Sequence, residues 1–318
     1  MSLHWKMIRF FPTLALAAAL LCAAPGASQT ARTWTGAASA DWHTPGNWSD
    51  GTVPGEGEAA VIPSGTVLLT NATAALAAFE MSGGTLAFSN WWARLDAAEV
   101  NLAGGTLRPH NAFRENEMSN RVWIVCSNLT VGPSAVIHAD ALGYAGVMAA
   151  SGQGPGKSLV SQYRTAGAGY GGQGGNATDS FAIGAACGDV ALPTAPGSSS
   201  AGRTQANNQK SGKNGGGAIR IDAAGDVTVT GTISANGAGY ETYIGGAAGG
   251  GILIHCRTLQ GSGTIRANGG DARQGGGEGG GGRIALHYDT AAQALLPAPP
   301  LTLSASAGKR DHHTESQF

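Results

Sequence analysis

The chain has 318 residues, enough for one large domain or two medium ones, and it contains 52 glycines but only 12% charged residues. Its formal net charge of −1 offers no electrostatic basis for binding nucleic acid or an anionic membrane surface, so neither is expected as a partner. The apolar residues, 42% of the chain, occur in short alternating runs, which indicates a folded protein rather than a low-complexity disordered one.

Residues 1–29 are predicted to be a secretory signal peptide. Lys6 and Arg9 form a positively charged start, the apolar run LALAAALLCAA follows, and small residues precede the mature chain. No other segment is apolar enough to cross a bilayer. We therefore expect an exported protein, secreted or held at the cell surface, with no transmembrane segment in the mature chain.

After the signal peptide, residues 30–63 are predicted to be a tryptophan-rich N-terminal cap. Trp34, Trp42 and Trp48 lie among Gly, Pro and Asn residues, a composition that fits neither a helix nor a long strand. Three large rings at this place would cover one end of an apolar core, as repeat folds require of their first unit. The alternative is an exposed platform on which sugar rings stack.

The next segment repeats a glycine turn followed by a short β-prone run, in SGTVLLTN, SGGTLAFS and AGGTLRPH. The threonines of these runs, Thr66, Thr85 and Thr106, lie 19 and 21 residues apart. About 20 residues is the length of one coil of a parallel β-helix, in which each coil lays its strands on those of its neighbour. Stacking is needed because a single coil cannot bury its inward side chains.

The second half keeps this organisation with wider coils. Triple glycines open three units that each contain two short strands, and the heptads GTISANG (231–237) and GTIRANG (263–269) are nearly identical. We interpret the heptads as the same edge of successive coils. The sequence therefore predicts an all-β protein, a right-handed parallel β-helix (solenoid) with glycine-rich loops, over residues 64–305.

The same alignment places three polar residues at equivalent points after a strand: Asp140, Asn236 and Asn268. Asn and Asp tolerate left-handed backbone conformations and bond their own backbone in turns. Stacked on one another, they are predicted to form a structural ladder of hydrogen bonds at the turn. A ligand site at this position is the alternative.

Glycine-rich insertions interrupt the predicted β-helix. Glycine runs lose much conformational entropy on folding and provide little packing surface, so they fit either mobile loops or backbone pressed against backbone. The sequence leaves both readings open. The insertions span about residues 146–215, 237–250 and 269–281, and residues 306–318 are predicted to be a disordered or truncated tail.

Neither the cysteines nor the glycine motifs predict a metal or a cofactor. Cys126, Cys187 and Cys256 are odd in number and widely spaced, which favours buried single thiols. The stretches SGQGPGKS (151–158) and GAGYGG (167–172) imitate phosphate-binding loops, but no helical pattern follows either of them. We therefore expect no metal site and no cofactor.

Catalysis on such a scaffold would require acids and bases grouped across adjacent coils. His255 and His287 follow matched strands (ILIH and IALH), so they are expected to stack, and Arg257 and Asp289 lie beside them. These four residues are the catalytic candidates. The alternative is that they are solvent-exposed polar residues at the rim of the coils, without a catalytic role. The wider set on this face comprises Arg220, Asp222, His255, Arg257, Arg266, His287 and Asp289.

Three tyrosines lie within or beside the glycine-rich insertions: Tyr170, Tyr240 and Tyr243. A tyrosine ring provides contact area at little entropic cost, so these residues are candidates for sugar contact. The alternative is that the rings fold back over apolar coil edges.

The segments GAGYGGQGG, GGGAIRIDAAGDVTVTGTISANG and GGGRIALHYD, with the Trp-rich opening, resemble glycine-rich parallel β-helix domains of secreted bacterial surface proteins, the autotransporter or adhesin-like passengers. The resemblance covers roughly residues 33–305 and provides no catalytic residues. It implies the β-helix architecture of an exported surface or extracellular-matrix protein. A repetitive face suits a repetitive ligand, because evenly spaced weak contacts add by multivalency, so we expect an adhesive or glycan-contacting, non-enzymatic function with a polysaccharide or cell-surface glycan as partner. The alternatives are a polysaccharide lyase or glycoside hydrolase, and ice or mineral binding through a threonine array.

Overall fold

The computed structural model describes residues 30–114, 117–180 and 182–311. The predicted signal peptide and residues 312–318 lie outside this range. Within it the protein is nearly all β, with one 3-10 turn (Pro45–Asn47) and one short helix, α1 (Thr290–Gln293). The strands are β1 (Ala31–Thr33), β2 (Ala59–Ile62), β3 (Thr66–Leu69), β4 (Leu76–Met81), β5 (Thr85–Phe88), β6 (Leu95–Pro109), β7 (Val122–His138), β8 (Ala218–Ala223), β9 (Asp226–Val229), β10 (Thr232–Ser234), β11 (Gly251–Cys256), β12 (Thr258–Gln260), β13 (Thr264–Arg266), β14 (Ala272–Arg273), β15 (Arg283–Tyr288), β16 (Thr302–Ser304) and β17 (Arg310–Asp311).

Fifteen of these strands form one sheet, in which all strand pairs are parallel, while β14 and β17 form a separate parallel pair. The long strands β6 and β7 each contribute to three columns of stacked strands. Column 1 continues through β8, β11 and β15. Column 2 contains β1, β2, β4, β9 and β12. Column 3 contains β3, β5, β10, β13 and β16.

Aliphatic side chains of adjacent layers stack on one another inside the columns. In column 3, Ile137, Ile233 and Ile265 are in register and fully buried. Columns 1 and 2 bury equivalent residues, so the core is shared by all layers. Each layer therefore depends on its neighbours to remove its apolar surface from water.

The repeated heptads are neighbours, as the sequence predicted. Residues 232–234 pair in register with residues 264–266, and the latter pair with residues 302–304. The first repeats are confirmed in the same way, because β3, β5 and β6 align Thr66, Thr85 and Thr106.

The tryptophans of the predicted cap are buried. Trp42 packs edge-on against Trp48 with ring centroids 4.8 Å apart, and Trp34 packs on Trp48 at 5.2 Å. Trp42 also lies 6.2 Å from Phe79, which belongs to the main core. The rings are at most 4% exposed, so they cover the core and do not offer a platform for sugars.

The glycine-rich insertions are packed segments joined by backbone hydrogen bonds. Along each segment, N–H groups three residues apart point in the same direction and donate to the same neighbouring segment, so one segment is bonded to several neighbours. In a β-strand, by contrast, successive N–H groups alternate between two sides. Three residues per turn is the period of polyproline II backbone, which has no internal hydrogen bonds. In residues 245–250, N–H groups three apart donate to the same neighbour: Gly246 and Gly249 to the carbonyls of Gly277 and Gly280, and Ala247 and Gly250 to those of Ala238 and Ala235.

Glycine is required in these segments because the backbones lie close together. A Cβ atom at Gly249 would overlap the carbonyl oxygen of Ala267, and one at Gly246 would overlap that of Gly270. Neither Gly246 nor Gly249 has a positive φ, so the requirement is one of space and not of dihedral angle. We call residues 245–250, together with the similar packed segments at 165–175, 197–202, 212–217 and 276–282, the glycine bundle.

The chain remains paired beyond residue 305, the end of the predicted β-helix. Gly308 donates to the carbonyl of Gly279, and Arg310–Asp311 pair with Ala272–Arg273. Residues 306–311 are therefore part of the fold, in contrast to the predicted disordered tail. Side chains hold the segment as well, because the N–H of Lys309 donates to the carboxylate of Asp271 and Arg310 pairs with Glu278. The polar composition of residues 306–311 has no apolar pattern from which this pairing could be predicted.

Candidate functional site

The three residues of the predicted turn ladder are brought together by the register of column 3. The carboxylate of Asp140 accepts from the backbone N–H of Asn236 at 2.6 Å and from its amide Nδ2 at 2.9 Å. Asn236 Oδ1 in turn accepts from the N–H of Asn268 at 2.9 Å. Asn268 Oδ1 accepts from Ser304 Oγ at 2.6 Å and from the N–H of Ser306 at 3.0 Å. The ladder therefore links four successive layers.

A polar groove of about 480 Å³ lies beside the ladder. Tyr240 forms part of its wall with a ring that is 63% exposed, and the exposed side chains of Arg266 and Lys309 line the same groove. Within the described ranges neither cation forms an ion pair. The full lining is Asn236, Gly237, Gly239, Tyr240, Arg266, Asn268, Gly269, Gly270, Asp271, Ser304, Ser306, Ala307 and Lys309.

The three candidate tyrosines lie in different environments. Tyr240 is exposed, and Arg273 lies over its ring with Cζ 5.3 Å from the centroid. Tyr243 is half-buried, with Arg203 at 4.6 Å. Tyr170 is only 1% exposed, and burial raises its pKa to about 12. The candidacy of Tyr170 for sugar contact is therefore wrong, because its loop folds into the glycine bundle.

The predicted histidine pair forms on the outer face of column 1. His255 and His287 are in register, with ring centroids 4.8 Å apart. Asp222, in the preceding layer, accepts from His255 Nδ1 at 3.1 Å. His287 Nε2 lies 2.7 Å from the carbonyl oxygen of Ala191.

Asp222 is held as a carboxylate by three donors. Burial opposes its charge, but the hydrogen bonds from Arg220 (2.6 Å), Trp123 Nε1 (2.8 Å) and His255 outweigh that cost and hold the pKa of Asp222 below its usual range. Such a carboxylate orients the His255 ring and leaves Nε2 open as a base.

The other two catalytic candidates have structural contacts. Arg257 pairs with Asp226 at 3.0 Å. The carboxylate of Asp289 accepts from the backbone N–H groups of Ala291 and Ala292, which makes Asp289 the N-cap of α1. Both side chains line a shallow depression with His255 and His287, but neither presents an unpaired acid or base beside the histidines.

An aromatic cluster that the sequence did not predict lies on the same face. Arg121 lies between the rings of Trp91 and Trp123, with Cζ 4.7 and 4.5 Å from their centroids, and 5.7 Å from Trp92. We call these four residues the Trp–Arg cluster. The doublet WW at 91–92 was the available signal, but the register that brings residue 121 beside it was not predicted.

The thiols Cys126 and Cys256 and the two motifs that imitate phosphate loops lie in the following environments. Burial raises the pKa of Cys126 to about 12 and that of Cys256 to about 11, so both remain protonated thiols. Within the described residues no disulfide and no cluster of three metal-ligating side chains occurs. Residues 151–158 and 167–172 lie in irregular backbone, and no helix follows them.

No protein-family model, curated protein or solved structure matches this chain. In the part of the chain that the structure describes, no helix is long and apolar enough to span a membrane.

Proposed function

We propose that this chain is a right-handed parallel β-helix, related to the passenger domains of bacterial surface proteins, and that it acts as an exported, non-enzymatic glycan-binding protein. The parallel strand columns and the layer-by-layer register support this architecture. The predicted signal peptide supports export to the surface or matrix.

The observation that carries the binding function is the composition of the groove beside the ladder. Tyr240 presents an exposed ring, onto which the C–H face of a pyranose packs. The ladder provides amide and hydroxyl groups, which exchange hydrogen bonds with sugar hydroxyls. Arg266 and Lys309 outnumber the single carboxylate of Asp271, so the groove also suits an acidic sugar.

A groove on a repetitive scaffold fits a repetitive ligand. Successive layers present similar polar edges, and a long glycan contacts several of them through weak, evenly spaced interactions that add by multivalency. Ice or mineral binding is less well supported. A flat threonine array needs two neighbouring rows of threonines. Column 3 has one outward row that includes Thr66, Thr85 and Thr106, but the row two residues further along the strands contains Leu68, Ala87 and Arg108.

A glycan array followed by calorimetry tests this proposal. The best glycan is titrated into the wild-type protein and into the Tyr240→Ala and Arg266→Ala variants. Loss of the ring is expected to weaken binding at least about tenfold, equivalent to about 1.4 kcal/mol. Tyr163→Ala is the matched control, because Tyr163 is 50% exposed and lies outside the groove. Equal affinity in the wild type and Tyr240→Ala would contradict the groove assignment.

The Asp222–His255 pair supports a second candidate function, a polysaccharide lyase or glycoside hydrolase. An imidazole oriented by a carboxylate is a competent general base, and Arg220 lies beside it. Incubation with acidic and neutral polysaccharides, followed by measurement of reducing ends and unsaturated products, separates the two functions. Turnover that disappears in His255→Gln would replace the non-enzymatic assignment, and no turnover is the result that our proposal expects.

A further inference from the structure

The Trp–Arg cluster contains a buried cation that has no ion-paired carboxylate among the described residues. Arg121 is 5% exposed, and its Nε donates to the carbonyl of Trp91 at 3.0 Å. Within the described ranges Arg121 forms no ion pair. Burial, and to a smaller extent the charge of Arg220, lower the pKa of Arg121 to about 10 against a weaker opposing effect of Asp222, so the guanidinium is still charged at neutral pH. A buried charge without a counter-ion is costly, so this site favours an anion.

The neighbouring cations are already compensated. Arg94 pairs with Asp96 at 3.1 Å, and Arg220 pairs with Asp222 at 2.6 Å. Both guanidinium groups also lie over the Trp123 ring, with Cζ 5.6 and 5.0 Å from its centroid. Of these three arginines, Arg121 is therefore the one without an ion pair among the described residues.

The rings around Arg121 provide the second half of a binding site. Trp92 is 69% exposed, an unusual exposure for the largest apolar side chain, and Trp91 and Trp123 are partly exposed. Exposed indole faces next to a planar cation match a ligand that carries an apolar ring face and one negative charge. A pyranose with a carboxylate has both features.

We propose that the Trp–Arg cluster is a binding site for a uronic acid residue of an acidic glycan, with the sugar ring on the indole of Trp92 and its carboxylate directed to Arg121. The site lies on the outer face of column 1, whereas the groove lies at the turn after column 3. The two sites are therefore separate, and this inference holds whether or not the groove binds glycan. A single charge at the cluster, in a chain of net charge −1, favours an acidic sugar over a nucleic acid strand, which needs a row of cations.

The test uses the full chain with Tyr240→Ala and Arg266→Ala as background, which removes the ring and one of the two cations of the groove. Trigalacturonate is titrated by calorimetry, with its fully methyl-esterified form as an uncharged ligand of the same backbone. We expect trigalacturonate, the acid, to bind at one site and its methyl ester to bind at least about tenfold more weakly. Adding Trp92→Ala should weaken binding of the acid at least about tenfold. Arg121→Gln is expected to weaken the acid and leave binding of the ester unchanged.

Trp92→Ala tests the site even if Arg121→Gln disturbs the fold, because Trp92 is largely exposed and its truncation should leave the fold intact. Leu295→Ala, at a side chain that is 85% exposed, is the control for a surface truncation and should leave the affinity unchanged. Equal affinity for acid and ester, or equal affinity with and without Trp92, would overturn the proposal. Tighter binding of oligothymidylate than of trigalacturonate would overturn it too, since the cluster would then be a nucleic acid site.

Discussion

The early strands, within residues 59–109, and the glycine bundle are both built from stacked chain segments, but glycine serves a different purpose in each. In the early strands, Gly65, Gly84 and Gly105 have φ values of +86, +79 and +83° at the same turn of successive layers. They allow the chain to turn, and apolar side chains supply the cohesion. In the glycine bundle the missing Cβ allows backbones to approach, and hydrogen bonds between them supply the cohesion.

This difference shows that glycine content alone does not indicate flexibility. A segment with no side chains to bury is ordered when each N–H finds an acceptor in a neighbouring segment, because an unpaired buried amide is costly. The free energy of unfolding should then fall when an apolar side chain of the strand core is truncated, and when a methyl group is added to a glycine of the glycine bundle.

The largest effect is expected from truncation in the aliphatic core. Ile265→Ala removes a fully buried side chain stacked between two layers and should destabilise the protein by about 2–5 kcal/mol. Leu303, its neighbour in the next layer, is 51% exposed, so Leu303→Ala should cost much less. Urea unfolding measures both. Equal losses would mean that column 3 is not a packed core.

A matched pair of adjacent glycines tests the bundle. A Cβ at Gly171 would overlap the carbonyl of Gly282, whereas a Cβ at Gly172 would lie 3.6 Å from its nearest neighbour. Gly171→Ala should therefore destabilise by about 1–3 kcal/mol, as overpacking does. Gly172→Ala should be neutral or slightly stabilising. Similar unfolding midpoints for the two variants would show that the backbones are not in close contact.

The turn ladder should contribute less to stability than the aliphatic core or the glycine bundle. Asn236→Ala removes the amide that accepts from Asn268 and donates to Asp140, and we expect a loss of about 1 kcal/mol. Asn101→Ala, on an exposed strand position without a side-chain bond, is the control. If both variants unfold at the same urea concentration, the ladder contributes nothing to stability.

The smallest effect concerns pH. Burial lowers the pKa of His138, so the folded state favours the neutral ring. The stabilising contribution is complete above the unfolded pKa of about 6.5, and it is lost as the pH falls through the lower folded pKa. Wild-type protein should therefore lose more stability than His138→Asn between pH 7.5 and a mildly acidic pH. Parallel loss in the two proteins would mean that His138 is solvated.

The strand register and the turn ladder could be predicted from the sequence because they repeat visibly. The heptads at 231–237 and 263–269 align the layers, and that alignment places Asn236 next to Asn268. The sequence allowed two interpretations of the tryptophan rings, a buried cap and an exposed platform, because composition alone does not determine whether an indole faces the core or the solvent.

The environment of the glycine-rich segments and the Trp–Arg cluster could not be predicted. Tyr170 is buried by segments distant in sequence whose packing follows from backbone hydrogen bonds, which leave no apolar periodicity. Arg121 meets Trp91 across 30 residues, outside any repeated motif. Periodicity of apolar residues identifies stacked strands, and neither of these features produces such a pattern.

Amide hydrogen exchange in residues 245–250 and 276–282 tests most directly that the glycine bundle is ordered. The six N–H groups of residues 245–250 and those of Gly277, Gly279, Gly280 and Gly282 donate to neighbouring segments. We therefore expect exchange of these amides to be slowed at least about a thousandfold relative to an unstructured peptide, equivalent to an opening free energy of about 4 kcal/mol. Exchange at the rate of an unstructured peptide in these residues, with β10 and β13 still protected, would contradict the account.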